Sequence, residues 1–257
     1  MSATGLDIQR SGKVVTVAIN RAPVNALTLA LYEEISDLFE TLGQSVDDAN
    51  CVVFTARGEK AFCAGLDLNE FLAAKVEDDA ARAAVVRRTF EAVRTCAIPV
   101  IAAVNGPALG AGCVLAAVAD VRIASERATF GLPEINVGRC GGTAHLGRLI
   151  PQGALRKMFF TGKPISAAEA FRIGLVDEVV APAALQERAA TLAAEIASKA
   201  PLGLRYGKQA LNGAEYLPVE EGYALEQTFS TKLLATEDAR EATRAVVEKR
   251  APRFVGR

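Results

Sequence analysis

The sequence predicts an α/β fold that ends in a purely helical region. Up to about residue 180, short β-branched runs alternate with segments of helical periodicity, and from about residue 184 onward every segment reads as helix. Hydrophobic residues make up 51% of the 257, enough for a substantial core. No clear repeat and no flexible linker separates the two parts; the expected organisation is a core over residues 1–195 followed by a helical region over 196–257.

The first strand expected is Val14–Ile19, VVTVAI, followed by the turn residues NRAPVN. Leu27, Leu31, Ile35, Leu38 and Leu42 then recur at spacings of three and four, which predicts an amphipathic helix. Residues 51–55 read as a second strand and residues 57–68 as a glycine-bearing loop. A polar, alanine-rich helix is expected over Asp79–Thr95. Pro99 separates it from a strand at Val100–Val104, because proline disfavours helical geometry in the residue before it.

The chain is organised around the stretch that begins with that strand, IAAVNGPALGAGCVLAAVAD. It reads as a strand, a tight glycine loop at 110–112, and a helix start. The first amides of a helix lack intrahelical partners and carry the positive end of the dipole, so they stabilise an anion. Small residues let a ligand approach that backbone. Taken alone, the two glycines read better as closing a strand-to-helix turn in a small-residue core.

Beyond it, Val121–Ser125 reads as a strand and residues 129–134 as a turn, with helices over 145–149 and 153–160. Ser166 and Glu169 form a capping-box pattern for another helix, and Gly174 supplies its stop. A last strand covers 176–180. The tail reads as helices over 185–199, 201–212, Val219–Leu234 and 237–250, the last with Glu237 and Asp238 in its first turn and Lys249 and Arg250 in its last.

Composition narrows the function classes. A net charge of −1 and a pI near 6.0, without a local cluster of cations, give no field to attract nucleic acid or an anionic membrane. Five cysteines without a C-x-x-C pair indicate neither a disulfide framework nor a zinc site, so no metal is expected. The first thirteen residues lack the apolar run of a signal peptide, and no segment is apolar enough to span a bilayer. A soluble, cytoplasmic protein is expected.

Three stretches, AFCAGLDL (61–68), IAAVNGPALGAGC (101–113) and FGLPEINVG (130–138), together resemble the crotonase superfamily, the enoyl-CoA hydratases and isomerases. NRAPVNAL, FTGKPISAAEAFRIGLVDEVV and the C-terminal DAREATRAVVEKRAPRFVGR extend the likeness over nearly the whole chain. The resemblance implies a spiral of ββα units, a C-terminal helical region that drives assembly into a homotrimer or a dimer of trimers, and an acyl-CoA thioester as substrate. No cofactor is implied beyond the coenzyme A of that substrate. It also implies an oxyanion hole made by the backbone amides of Leu66 and Ala111. Such preorganised donors are worth about 3 kcal/mol each when aimed at a developing oxyanion. Ala22 and Val24, with Ala64, Gly65, Leu66, Asp67 and Leu68, match the regions that hold coenzyme A, and Arg21, Arg57 and Lys60 are nearby candidates for its phosphates, or solvated surface charges.

The family's hydratases use two glutamates. Here the first position is Val114 and the second is Glu134. One carboxylate suffices to move a double bond, because the same group can remove a proton from C2 and return it at C4. The expectation is therefore isomerisation of an enoyl-CoA with Glu134 as the single acid/base. A hydratase or dehydratase with an atypical second acid, and a non-catalytic acyl-CoA-binding protein, are the alternatives; decarboxylation and thioester hydrolysis stay open. The loop after Gly138 is shorter than in the usual hydratase, which could bring Arg139, Cys140 or His145, the only histidine, toward the substrate. Cys63 and Cys113 read as packing residues.

Overall fold

The structure, a computed structural model, describes residues 5–45 and 48–257. The first four residues of the segment read above for a signal peptide lie outside it. β1 (Leu6–Ser11) and β2 (Val14–Ile19) form an antiparallel hairpin, then α1 (Leu29–Thr41) leads to β3 (Cys51–Ala56). α2 (Leu68–Ala73), a short 3₁₀ turn and α3 (Asp79–Thr95) precede β4 (Val100–Val104), β5 (Ala108–Leu109) and α4 (Ala111–Ala117). β6 (Val121–Ser125) and β7 (Thr129–Gly131) are followed by a 3₁₀ helix, Pro133–Val137. Then come α5 (Thr143–Leu146), α6 (Gln152–Thr161), β8 (Ile165–Ser166), α7 (Ala167–Arg172) and β9 (Glu178–Val180). The tail is α8 (Leu185–Ala197), α9 (Pro201–Ala214), α10 (Val219–Leu234) and α11 (Glu237–Val247).

The main sheet has the order β1-β2-β3-β4-β6-β9, parallel from β2 onward; the small second sheet is β5-β7-β8. Parallel strands covered on both faces are apolar throughout, and the period of two divides their side chains between two cores. Val52 and Phe54 of β3, with Val100, Ala102 and Val104 of β4, face the main core that includes α1 and α3. Cys51, Val53, Ile101, Ala103 and Ile123 face the other way, onto Leu185, Ala189 and Ala193 of α8.

Several local expectations are corrected. Residues 129–134 are not a turn: Thr129–Gly131 is a strand, because Phe130 pairs with both Ala108 and Ile165, and the chain then enters the 3₁₀ helix. The hairpin strand β1, the short strands β5 and β8 and helix α2 were not expected. The capping box at Ser166 is half made. Its hydroxyl accepts from the Glu169 amide at 3.2 Å, but the Glu169 carboxylate turns to Arg172 instead of back to the cap. α11 ends at Val247, so Lys249 and Arg250 lie beyond it; Lys249 takes a left-handed φ of 52°.

Polar ties fix the tail against the core. Lys208 of α9, 5% exposed, donates to Asp120 at 2.7 Å and to the Ile98 carbonyl, and Asp120 also accepts from the Val100 amide at the start of β4. The Coulomb gain of such a pair is largely offset by desolvation, whereas losing one partner costs about 3–5 kcal/mol. Its value is positional: α9 is held at the strand that leads into the glycine loop. At the end of the chain, buried Asp238 accepts from the amides of Val255 and Gly256 and folds the last residues back on α11.

Candidate active site

The glycine loop is pinned by a neighbour from 45 residues upstream. Cys63 donates its amide to Pro107, and its carbonyl accepts from Leu109 at 2.9 Å, making a parallel bridge between Cys63 and Ala108. T-shaped contacts Phe39–Phe54 and Phe54–Phe62 at 5.1 and 5.9 Å fix the approach to that bridge from the core. Gly65 then runs against the start of α4. A Cβ on it would lie 2.9 Å from the Leu109 carbonyl and 3.5 Å from the Ala111 amide nitrogen, and its φ is +91°. Only glycine tolerates both conditions.

Leu66 and Ala111 therefore belong to backbone segments in direct contact, and both residues are half-buried. Among the described residues, neither amide has a hydrogen-bond acceptor, although their neighbours do: Leu27 donates to Gly65, Asp67 to Leu27, Gly110 to Gly131. Half-buried amides without partners are uncommon, and two on adjoining segments make a place for an acceptor from outside.

Glu134 faces the same place. Pro133 opens its 3₁₀ helix, and a Cβ added to Gly110 would come within 2.9 Å of Glu134 Oε1. Oε2 is buried without a partner among the described residues. Burial pushes the carboxyl above its ordinary value of 4.5, partly countered by its own backbone amide. Tyr32, buried on α1, feels this acid as well: burial, with Cys63, Glu134 and Glu70 nearby, raises its phenol so that it stays protonated. Its position in the apolar stripe of α1 gave no sign of that neighbourhood.

Val114 is 2% exposed, and its methyls pack where a Cβ on Gly142 would sit, at 2.7 Å; Leu132 completes this apolar wall. His145 sets its ring edge-on to Phe90 at 5.4 Å, and burial, with Arg148 and Arg94 nearby, pushes its imidazole down. The thiols of Cys63 and Cys113 are fully buried and pushed up to about 12, which keeps them from being nucleophiles, while Cys140 is exposed.

The residues expected to hold coenzyme A are brought together. Asn25 accepts from the Arg21 amide and donates to the carbonyls of Arg57 and Ala61, and Ala64 donates to Val24, so the NRAPVN turn and residues 64–68 form one surface. Arg21 pairs with Asp67 at 2.7 Å and Arg57 with Asp7, whereas Lys60 is exposed. The Glu70 amide, together with Arg21, holds Asp67 below the usual carboxylate range, and Asp67 in turn caps α2.

The profile of the enoyl-CoA hydratase/isomerase family matches residues 9–257. The chain belongs to that family. Its fold is the crotonase fold, α/β with C-terminal helices. The crystal structure of enoyl-CoA hydratase from Bacillus anthracis superposes with a TM-score of 0.94 at 35% identity, covering 98% of this chain and 100% of that one. The short-chain-enoyl-CoA hydratase of Clostridium acetobutylicum is 35% identical over 255 residues, 97% of each chain. The 2,3-dehydroadipyl-CoA hydratase of Escherichia coli is 37% identical over 260 residues, 98% of this chain and 99% of that one. This crotonase-family member is thus an acyl-CoA enzyme, and no helix among its described residues is long and apolar enough to cross a membrane.

Proposed function

We propose that this enzyme shifts the double bond of an enoyl-CoA, with Glu134 as the single acid/base and the amides of Leu66 and Ala111 as the oxyanion hole. The observation that carries the reading is the carboxylate at only one of the two positions: Glu134 lies beside Gly110, the residue before Ala111, and the partner position holds buried Val114. Ionised Glu134 takes a proton from C2 of a 3-enoyl-CoA, and the electrons move onto the thioester oxygen, where the two amides hold the dienolate. The same carboxyl then delivers its proton to C4, which leaves the 2-enoyl-CoA at unchanged mass. Ala22, Val24 and residues 64–68 hold the coenzyme A portion.

Hydration is the second reading, and the names of the relatives favour it: both curated relatives above and the solved structure are hydratases. It needs a second group to activate water. A panel of 2- and 3-enoyl-CoAs followed by absorbance and mass together separates the two. A gain of conjugation at constant mass from the 3-enoyl thioesters is the expected result; addition of 18 Da to the 2-enoyl thioesters, without isomerisation, would replace isomerase by hydratase. If neither occurs, the non-catalytic acyl-CoA-binding reading takes over.

We also assign the region 196–257 to assembly into a homotrimer or a dimer of trimers. Leu211, Tyr223, Leu234, Val246 and Val247 of α9–α11 are each more than 60% exposed, an apolar surface that suits an interface between copies. Sedimentation equilibrium should return three or six times the 27.0 kDa chain mass, and a monomer would remove the assignment.

A further inference from the structure

We propose that Arg139 selects acyl groups that carry a carboxylate at the end distal to the thioester. The proposal rests on the acyl-CoA reading above and adds to it a class of acyl group.

Arg139 lines a groove of about 450 Å³ together with Phe71, Ala74, Lys75, Val76 and Asp79. Both walls of the groove start at the reacting centre. One runs from Leu66 through Asp67 into α2 and reaches Phe71; the other runs from Glu134 along the 3₁₀ helix to Arg139, whose amide donates back to the Glu134 carbonyl at 2.9 Å. That bond closes the turn at left-handed Gly138, so the Arg139 backbone sits beside Glu134 and its side chain carries the guanidinium outward from the acid into the groove. The groove is within reach of the far end of a medium-length acyl chain.

The guanidinium is already positioned. Its carbon lies 4.7 Å from the centroid of the Phe71 ring, and Nη2 donates to Asp79 at 3.0 Å. A cation held over an aromatic face keeps its plane while its other donors stay available. Nε and Nη1 have no acceptor among the described residues and Nη2 keeps a second N–H, so one edge of the fork, Nη2 with one of its neighbours, is open to a carboxylate, which arginine binds bidentately. Lys75 adds a second cation, and Asp79 is the one acid in the groove, so the lining carries a net positive charge. The Arg139–Asp79 pair is exposed on both sides, 43% and 53%, and such pairs hold weakly, so Asp79 does not lock the arginine away. Phe71 and Val76 contribute apolar surface for the methylenes in between.

The test is calorimetric titration of the full-length protein with a saturated pair that cannot react, octanoyl-CoA and its ω-carboxylate counterpart suberyl-CoA. The expected Kd for suberyl-CoA is lower by roughly 10-fold or more, the range of a charge-assisted hydrogen bond. In Arg139→Leu and in Arg139→Gln the ratio falls to about one. In Asp79→Asn it rises above that of the unaltered protein, a gain that a merely structural role for Arg139 would not give. Equal binding of the two thioesters, or a preference that both Arg139 variants keep, overturns the proposal and leaves the acyl-CoA reading standing. Failure to bind either thioester overturns both.

Discussion

Glu134→Gln is expected to lower turnover of the responsive enoyl-CoA by roughly a thousandfold, within the range of a positioned general acid/base. The amide keeps the shape of the carboxyl but neither accepts nor returns a proton, so thioester binding should change little. Oε2 is buried without a partner among the described residues, so losing its charge removes a desolvated anion from the fold, and the thermal midpoint should hold or rise. In the unaltered enzyme the base must be ionised, so kcat/KM falls as pH drops through the Glu134 pKa. Because burial raises that pKa, the acid limb of the profile should lie above the ordinary glutamate value of 4.5. Activity retained in Glu134→Gln, or an acid limb at or below 4.5, would remove Glu134 from the reaction.

Elements that depend on their own periodicity were legible. β4 and α10 were expected at Val100–Val104 and Val219–Leu234, where they stand, and α3 over Asp79–Thr95 likewise. Elements made by pairing at a distance were not. β5, β7 and β8 are two or three residues each and exist because Ala108, Phe130 and Ile165 meet; glycine and proline around Phe130 read locally as a turn. β1 buries only Leu6 and α2 buries nothing, so neither carries a clear apolar pattern.

The candidate site divides along the same line. Glu134, Leu66 and Ala111 came from motifs, but the contact of Gly65 with Ala111 depends on the Cys63–Ala108 bridge, which no local pattern encodes. Arg139 was singled out from its short loop. Its partners Phe71 and Asp79 lie 68 and 60 positions upstream, the one in an α2 that the sequence did not signal and the other at the start of α3. The wall of Gly142 and Leu132 against Val114 was equally out of reach, since it forms only when the short loop closes over α4.

Gly112→Ala puts that long-range geometry to the test, because two physical effects pull in opposite directions. Gly112 lies within α4, where alanine is favoured over glycine by about 1 kcal/mol. Its Cβ, however, would run into the Cys63 carbonyl oxygen and stand 2.7 Å from Cys63 Cβ. That oxygen accepts from Leu109 and holds the bridge beside the proposed oxyanion hole, so it has little freedom to yield. Overpacking costs about 1–3 kcal/mol where side chains can adjust, and a clash with fixed backbone belongs at the upper end or beyond. Sterics therefore win, with a net loss of roughly 2 kcal/mol or more. If α4 and the 63–66 segment move apart instead, the amides of Leu66 and Ala111 separate, and a misplacement near 1 Å costs on the order of 100-fold in turnover. Gly153→Ala is the comparison: it too is in a helix, α6, but a Cβ there meets nothing within 4 Å, so it should be neutral or slightly stabilising. Matching denaturation midpoints and rates for the two variants would mean that the approach of Gly112 to Cys63 does not hold the two amides in register.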